Sequence, residues 1–158
     1  MRFYAFGNYY LSSIQQGIQA AHCAVDMFIK YKPRKHCSEL GQVEDWAENH
    51  KTMVLLNGGN QRDLIELVDF FSCVPENSFA WGFFREDCQS LNEAFTCVGI
   101  ILPERIYESA SLLRNKVFIH KDDNGNTWVN DAVNNCDHNL SPWELELCER
   151  LNSCGLAK

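Results

Sequence analysis

Four short runs rich in β-branched and aromatic residues, RFYAF (2–6), KTMVLLN (51–57), SFAWGFF (78–84) and FTCVGIIL (95–102), alternate with segments of helical period. This order constrains the fold more than any other feature of the chain. The first run ends at Gly7-Asn8 and leads into SSIQQGIQAAHCAVDMF (12–28), where Ser12 or Ser13 suits an N-cap. Ile14, Ile18, Ala21, Val25 and Phe28 recur there at helical spacing, a stripe expected to pack against a sheet, and Pro33 ends the helix. Residues 34–50 are polar, with a short helix expected around VEDWAENH. After the second run and Gly58-Gly59, Asn60 caps NQRDLIELVDFF, whose Leu64, Leu67, Val68 and Phe71 form the next stripe. The polar stretch REDCQSLNEA between the third and fourth runs is short enough for an antiparallel pair. Pro103 then opens the helix PERIYESASLL. A β-α-β-α-β-β-α order predicts an α/β fold, three layers around a mixed sheet of about four strands, with right-handed crossovers.

The last third changes character and reads as an extension (114–158) of a core spanning 1–113, within one domain. KVFIH and NTWVN flank KDDNG, a hairpin with Asn124-Gly125 at its turn. DAVNNCDHN is expected to be a polar loop, followed by a helix that Ser141, Pro142 and Glu144 open with a capping box. Trp128 and Trp143 pack this tail or contact a partner, and packing is the preferred expectation.

Length and composition agree with a packed globule: 158 residues, 46% of them apolar, and no run long enough to span a membrane. The N-terminus MRFYAFGNYY lacks the apolar core of a signal peptide, so a cytoplasmic location without membrane contact is expected. The eight cysteines form no C-x-x-C pair, and in a reducing compartment most of them are expected to serve as small buried hydrophobes or inert thiols. Cys136 and His138, with His36-Cys37, lack the two compact ligand pairs of a metal site, and neither metal nor cofactor is expected. The net charge of −7 suits an extended nucleic-acid backbone poorly. The basic cluster KYKPRK (30–35), with His36, is either a solvated loop, the favoured alternative, or a local phosphate contact.

Two groups of residues carry candidate chemistry. Gln15, Gln19, His22 and Asp26 lie along one edge of the first helix, and the amide groups of Ser12, Ser13 and Ile14 add a partial positive field. Arg85, Glu86 and Asp87 end the third strand and Thr96 starts the fourth. An acid at a strand end lines a crevice and can orient water, or it is simply a charged loop tip. The sequence contains no G-x-S-x-G, H-E-x-x-H, P-loop or G-x-G-x-x-G, so those hydrolase, NTPase and dinucleotide classes lack their signatures. Gly58-Gly59 is a strand-to-helix turn.

Taken together, these motifs resemble the archaeal and eukaryotic type of peptidyl-tRNA hydrolase. That family carries G-K-x-x-A-Q-x-x-H-A on its first helix, an acidic residue after a strand, and a T-x-x-G strand. Gln19 and His22 match the Q-x-x-H, Arg85-Glu86-Asp87 the acidic turn, and Thr96-Cys97-Val98-Gly99 the T-x-x-G, over about residues 1–113. The resemblance implies a three-layer α/β/α fold with a pocket between the first helix and the acidic turn. It departs where the family's lysine falls on Gln15 and the preceding glycine on Ile14. Gln15 hydrogen-bonds but supplies no full charge to a developing oxyanion, a loss on the order of a hundredfold or more in rate. Lys30 and Lys32 lie roughly four turns away along the helix and do not replace it. The acid's role falls to Asp87 or, with a shorter loop than in typical members, to Glu86.

Three functions accord with these residues. The first is a binding protein with lost or weak hydrolysis, holding a small polar or nucleotide-like ligand, or a tRNA 3′ end, through Ser12, Ser13, Gln15, Gln19, His22, Arg85, Glu86, Asp87 and Thr96. Small phage-encoded members that sequester a host signalling nucleotide fit it by analogy. The second is an active peptidyl-tRNA hydrolase in which Asp87, His22 and Gln19 position water. The third is an interaction module with a vestigial pocket. A homodimer is compatible with each. Both pocket functions require Gln15, Gln19, His22 and Asp87 to line one cavity.

Overall fold

A computed structural model describes residues 1–34, 37–75, 78–115, 119–123, 127–131 and 136–157. The chain groups into two compact units, residues 1–102 with 155–158, and residues 103–154.

In the first unit β1 (Arg2–Gly7) lies inside a four-stranded mixed sheet. It pairs in parallel with β2 (Met53–Asn57) and antiparallel with β4 (Phe95–Leu102), which in turn pairs antiparallel with β3 (Trp81–Arg85). The α/β architecture expected from the alternation of runs is the one observed, including the antiparallel β3–β4 pair. Two helices cover the sheet, α1 (Ser13–Tyr31) and α3 (Gln61–Ser72), with α2 (Ser38–Asp45) and a π-helical turn (Trp46–His50) between them in sequence. Phe3 and Ala5 join the buried cluster under α1, whereas Phe6 meets Phe71 of α3 at 6.0 Å. Alternation along β1 therefore puts the two helices on opposite faces.

Both edges of the sheet are partly covered. Gly155 accepts from the Asn57 amide at 2.8 Å and the Ala157 amide donates to Leu55 at 3.1 Å, so residues 155–157 run along the free edge of β2. At β3 the Tyr31 hydroxyl bonds both the amide and the carbonyl of Trp81, and the Gln42 carboxamide bridges Ser78 and Ala80. Side chains thus satisfy backbone groups that would otherwise invite a further strand.

The caps expected at Ser12 and Asn60 are present, each in a reciprocal box with the residue three positions on, Gln15 and Asp63. The buried face of α1 is not the expected one. Ile14, Ile18 and Val25 are 76%, 48% and 57% exposed, Ala21 is also exposed, and Phe28 is half-buried. The helix instead buries Ala20, Cys23, Met27 and Tyr31 together with Gln16 and Gln19. The physical reason lies in the sheet beneath it. A Cβ at Gly82 would sit 2.7 Å from Met27 Cγ, and one at Gly99 would sit 3.1 Å from Cys23 Sγ and strike the Phe3 ring. Helix and sheet approach closely over these two glycines, which favours the arc of small and flexible side chains over the arc of β-branched ones.

The second unit holds α4 (Glu104–Arg114), α5 (Pro142–Ser153) and an antiparallel sheet of β5 (Ile119–Lys121), β6 (Thr127–Asp131) and β7 (Cys136–Leu140). The expected hairpin is the β5–β6 pair, with His120 opposite Trp128; its turn, Asn124-Gly125, lies outside the described residues. Residues 136–140, read from sequence as part of a polar loop and its exit, form β7, paired from Thr127–Leu140 to Asp131–Cys136. Backbone pairing to β6 makes this strand, and its polar pattern conceals it. The expected capping box at Ser141 and Glu144 opens α5, and Trp143 is half-buried. Arg105 clamps this unit by bonding the Asn139 carbonyl at 3.1 Å and pairing with Glu144. Among the described residues no helix is long and apolar enough to cross a membrane.

Candidate functional site

Burying a polar group without a partner costs free energy, so buried polar side chains concentrate where something other than packing is needed. Among the described residues four of the six buried polar side chains, Asn8, Gln16, Gln19 and Thr96, gather where β1 ends and β4 begins. The turn after β1 is fixed on two sides. Asn8 receives a hydrogen bond from the Tyr10 amide and donates Nδ2 to Phe95 at 3.1 Å, while the Tyr9 amide donates to Gly59 at 2.9 Å. Gln16 Nε2 holds the Leu11 carbonyl at 2.8 Å, and its Oε1 is buried without a hydrogen-bond partner among the described residues.

This turn forms one wall of a cavity of about 470 Å³, to which it contributes Asn8, Tyr10 and Leu11. The start of α3 adds Asn60 and Gln61, the loop before β4 adds Leu91 and Ala94, and Thr96 opens β4. Tyr10 is 75% exposed and its ring lies 4.1 Å from that of Tyr9 at 33°. A hydrogen bond with Tyr10 is the largest cause of the raised pKa of the Tyr9 phenol.

Thr96 links the cavity to the motif residues. Its hydroxyl donates to Gln19 Oε1 at 3.3 Å, and Gln19 Nε2 donates to Glu86 Oε1 at 2.6 Å. Gln19, Glu86 and Thr96 are therefore brought into one chain of hydrogen bonds. The remaining motif residues have other partners. Gln15 folds back so that its Oε1 accepts from both the amide and the hydroxyl of Ser12, and Ser13 is exposed. His22 is exposed with its ring 4.7 Å from Phe84. Asp87 closes its own loop by accepting from the Gln89 and Ser90 amides at 2.8 and 2.7 Å. The Ser90 amide first, then its hydroxyl and the Gln89 amide, hold the Asp87 carboxyl below its usual range. Arg85 pairs with Glu93 at 3.0 Å and stacks over Phe95.

Of the four residues expected to share a cavity, Gln15, Gln19, His22 and Asp87, none lines this one; Thr96 alone of the motif residues does. Asn8, Tyr10 and Gln61 had no motif to mark them. Asn60 was legible only as a cap, although an asparagine directly after the end of β1 is a signal that Asn8 did offer. The basic cluster faces elsewhere: Lys30 donates to the Trp81 carbonyl at 2.8 Å over the indole ring, and burial lowers its pKa. Lys35 and His36 lie outside the described residues. Cys37 caps α2 by accepting from the Leu40 amide, and the side chains of Cys136 and His138 lie outside the described set. Among the described residues no three His, Cys, Asp or Glu side chains converge as metal ligands.

The cavity can bind and orient, and its lining residues carry no carboxylate, imidazole or ammonium group to exchange protons near neutral pH. Two carboxylates are joined to its lining by hydrogen bonds among the described residues, Glu86 through Gln19 and Thr96, and Asp63 through the Asn60 amide. No family model matches the chain, and no curated protein matches it in sequence.

Proposed function

We propose that this chain is a divergent protein of the peptidyl-tRNA-hydrolase type, with hydrolysis lost or weak, that binds a nucleotide-like ligand or an RNA 3′ end in the cavity beside Thr96 and not in the pocket that Gln15, Gln19, His22 and Asp87 were expected to share. The observation that carries this function is the state of Gln15. At the position of the family's lysine stands a neutral side chain whose oxygen is turned back onto Ser12. An oxyanion forming near Thr96 would gain no full positive charge from it, a deficit on the order of a hundredfold or more in rate. The hydrogen-bonded chain Thr96–Gln19–Glu86 supports a retained polar pocket, since such networks are costly to keep half-satisfied.

The test is release of peptide from a peptidyl-tRNA by the purified protein, beside Glu86→Gln and Asp87→Ala variants, together with thermal shift across nucleosides, nucleotides and a short RNA ending in CCA. Binding without turnover is the expected result. Turnover lost in either variant would assign an active hydrolase instead, and stabilisation by none of the probes would leave the pocket vestigial.

A further inference from the structure

Resting on that proposed function, we infer that the moiety held in the cavity is an uncharged purine base with its sugar, stacked on Tyr10 and read by carboxamides, and that a phosphate gains nothing there. Charge decides the first half of this. Among the lining residues there is no lysine, arginine or histidine. The helix start in the wall, that of α3, has three of its amides taken. Asn60 Oδ1 takes the Arg62 and Asp63 amides, and Asp63 returns its carboxylate to the Asn60 amide at 2.8 Å. An incoming phosphate would be opposed by that carboxylate and would find the Gln61 amide in place of a full set of free N–H groups. Neither Arg62, paired with Glu66, nor Arg85, paired with Glu93, lines the cavity. The chain as a whole carries −7.

The lining that remains suits a flat heterocycle. Tyr10 presents a largely exposed ring, steadied by Tyr9 on one side and by the Asn8 contact to its own amide. Aromatic faces of this kind stack bases regardless of charge. Leu11, Leu91 and Ala94 supply the apolar contact. Asn60 Nδ2 and the whole Gln61 carboxamide make no hydrogen bond among the described residues. A carboxamide offers a donor and an acceptor side by side, the pattern that matches N6 and N7 of adenine.

Isothermal titration with adenosine, adenosine 5′-monophosphate and ribose 5-phosphate tests this. Adenosine and its monophosphate are expected to bind within about threefold of each other, unchanged between about 50 and 300 mM salt, with no binding of ribose 5-phosphate. Tyr10→Ala and Gln61→Ala, both at exposed positions, should each weaken adenosine about tenfold, while Tyr10→Phe keeps it. A monophosphate that binds about tenfold or more tightly than adenosine, or whose affinity falls steeply with salt, would overturn the inference and leave the binding function standing. So would adenosine binding that both alanine variants leave unchanged. If neither adenosine nor its monophosphate binds, the inference falls. If the thermal-shift panel and the CCA-ended RNA are silent too, the binding function falls with it.

Discussion

Asp87 and Gln15 show how a polar side chain at a motif position can serve its own local backbone in place of a ligand. Both sit where the resemblance places chemistry, and both use their side chains on their own backbone, Asp87 in a loop turn and Gln15 in a helix cap. For Asp87 this has a pH consequence. Its carboxyl titrates below the ordinary value, so the ionised form stabilises the folded state at and above the unfolded pKa of about 3.9. That contribution is lost as pH falls through the lower, folded value. Asp87→Asn should therefore flatten the acid limb of a stability-against-pH curve below about pH 4 while leaving its neutral plateau nearly parallel. The thiols divide by environment in the same way. Cys23, Cys97 and Cys148 are buried; contact with Cys23 and burial raise Cys97 well above the usual thiol value, and burial pushes Cys148 up to about 12. Cys73 and Cys88 are exposed. A thiol reagent at neutral pH should label Cys73 and Cys88 in the native protein and reach the other three only on unfolding, as peptide mapping of the labelled protein will show.

At the scale of elements, α1 carries two arcs of apolar character, and hydrophobic period alone does not say which one a sheet will accept. Ile14, Ile18 and Val25 make the stronger stripe on paper, while Ala20, Cys23 and Met27 make the weaker one. Gly82 and Gly99 settle the choice, because they let the helix descend to a distance at which only small or flexible side chains fit. Ile18→Glu should then change stability by no more than about 0.5 kcal/mol in denaturant titration, as for other surface substitutions. Ala20→Leu, at a fully buried position, should lose about 1–3 kcal/mol through overpacking. The reverse ranking would restore the outer stripe as the core face. The same descent draws Gln16 and Gln19 below the surface, which is why two glutamines of a polar-looking helix edge become buried hydrogen-bonding groups.

For the whole molecule, the four-stranded sheet depends on contacts that come from far along the chain. Residues 155–157 bond the open edge of β2 through Asn57 and Leu55, some hundred positions earlier in sequence. Deleting 155–158 removes two backbone hydrogen bonds, worth about 0.5–1.5 kcal/mol each, and uncovers a strand edge. The truncated protein should unfold at lower denaturant and show concentration-dependent association by light scattering, whereas the intact chain keeps that edge paired. At the other edge Tyr31 and Gln42 serve the same end with side chains.

From sequence, the elements of the first unit and their order were legible because most of them are specified locally. Asn60 and Ser141 announce helix starts through hydrogen bonds within three residues, Pro33 follows the end of α1, and the β-rich runs need only their own side chains to be recognised. The link Thr96–Gln19–Glu86 was half legible, since the motifs named its members but not their bonds. What tertiary structure alone decided is everything that depends on approach between distant segments: which face of α1 is buried, that polar residues 136–140 pair as a strand, and that the cavity belongs to Asn8, Tyr10, Asn60 and Gln61. Local hydrogen bonds and periodicity are short-range and written in consecutive residues. The depth to which a helix settles on two glycines, and the space left beside the end of a strand, are properties of surfaces brought together from across the chain.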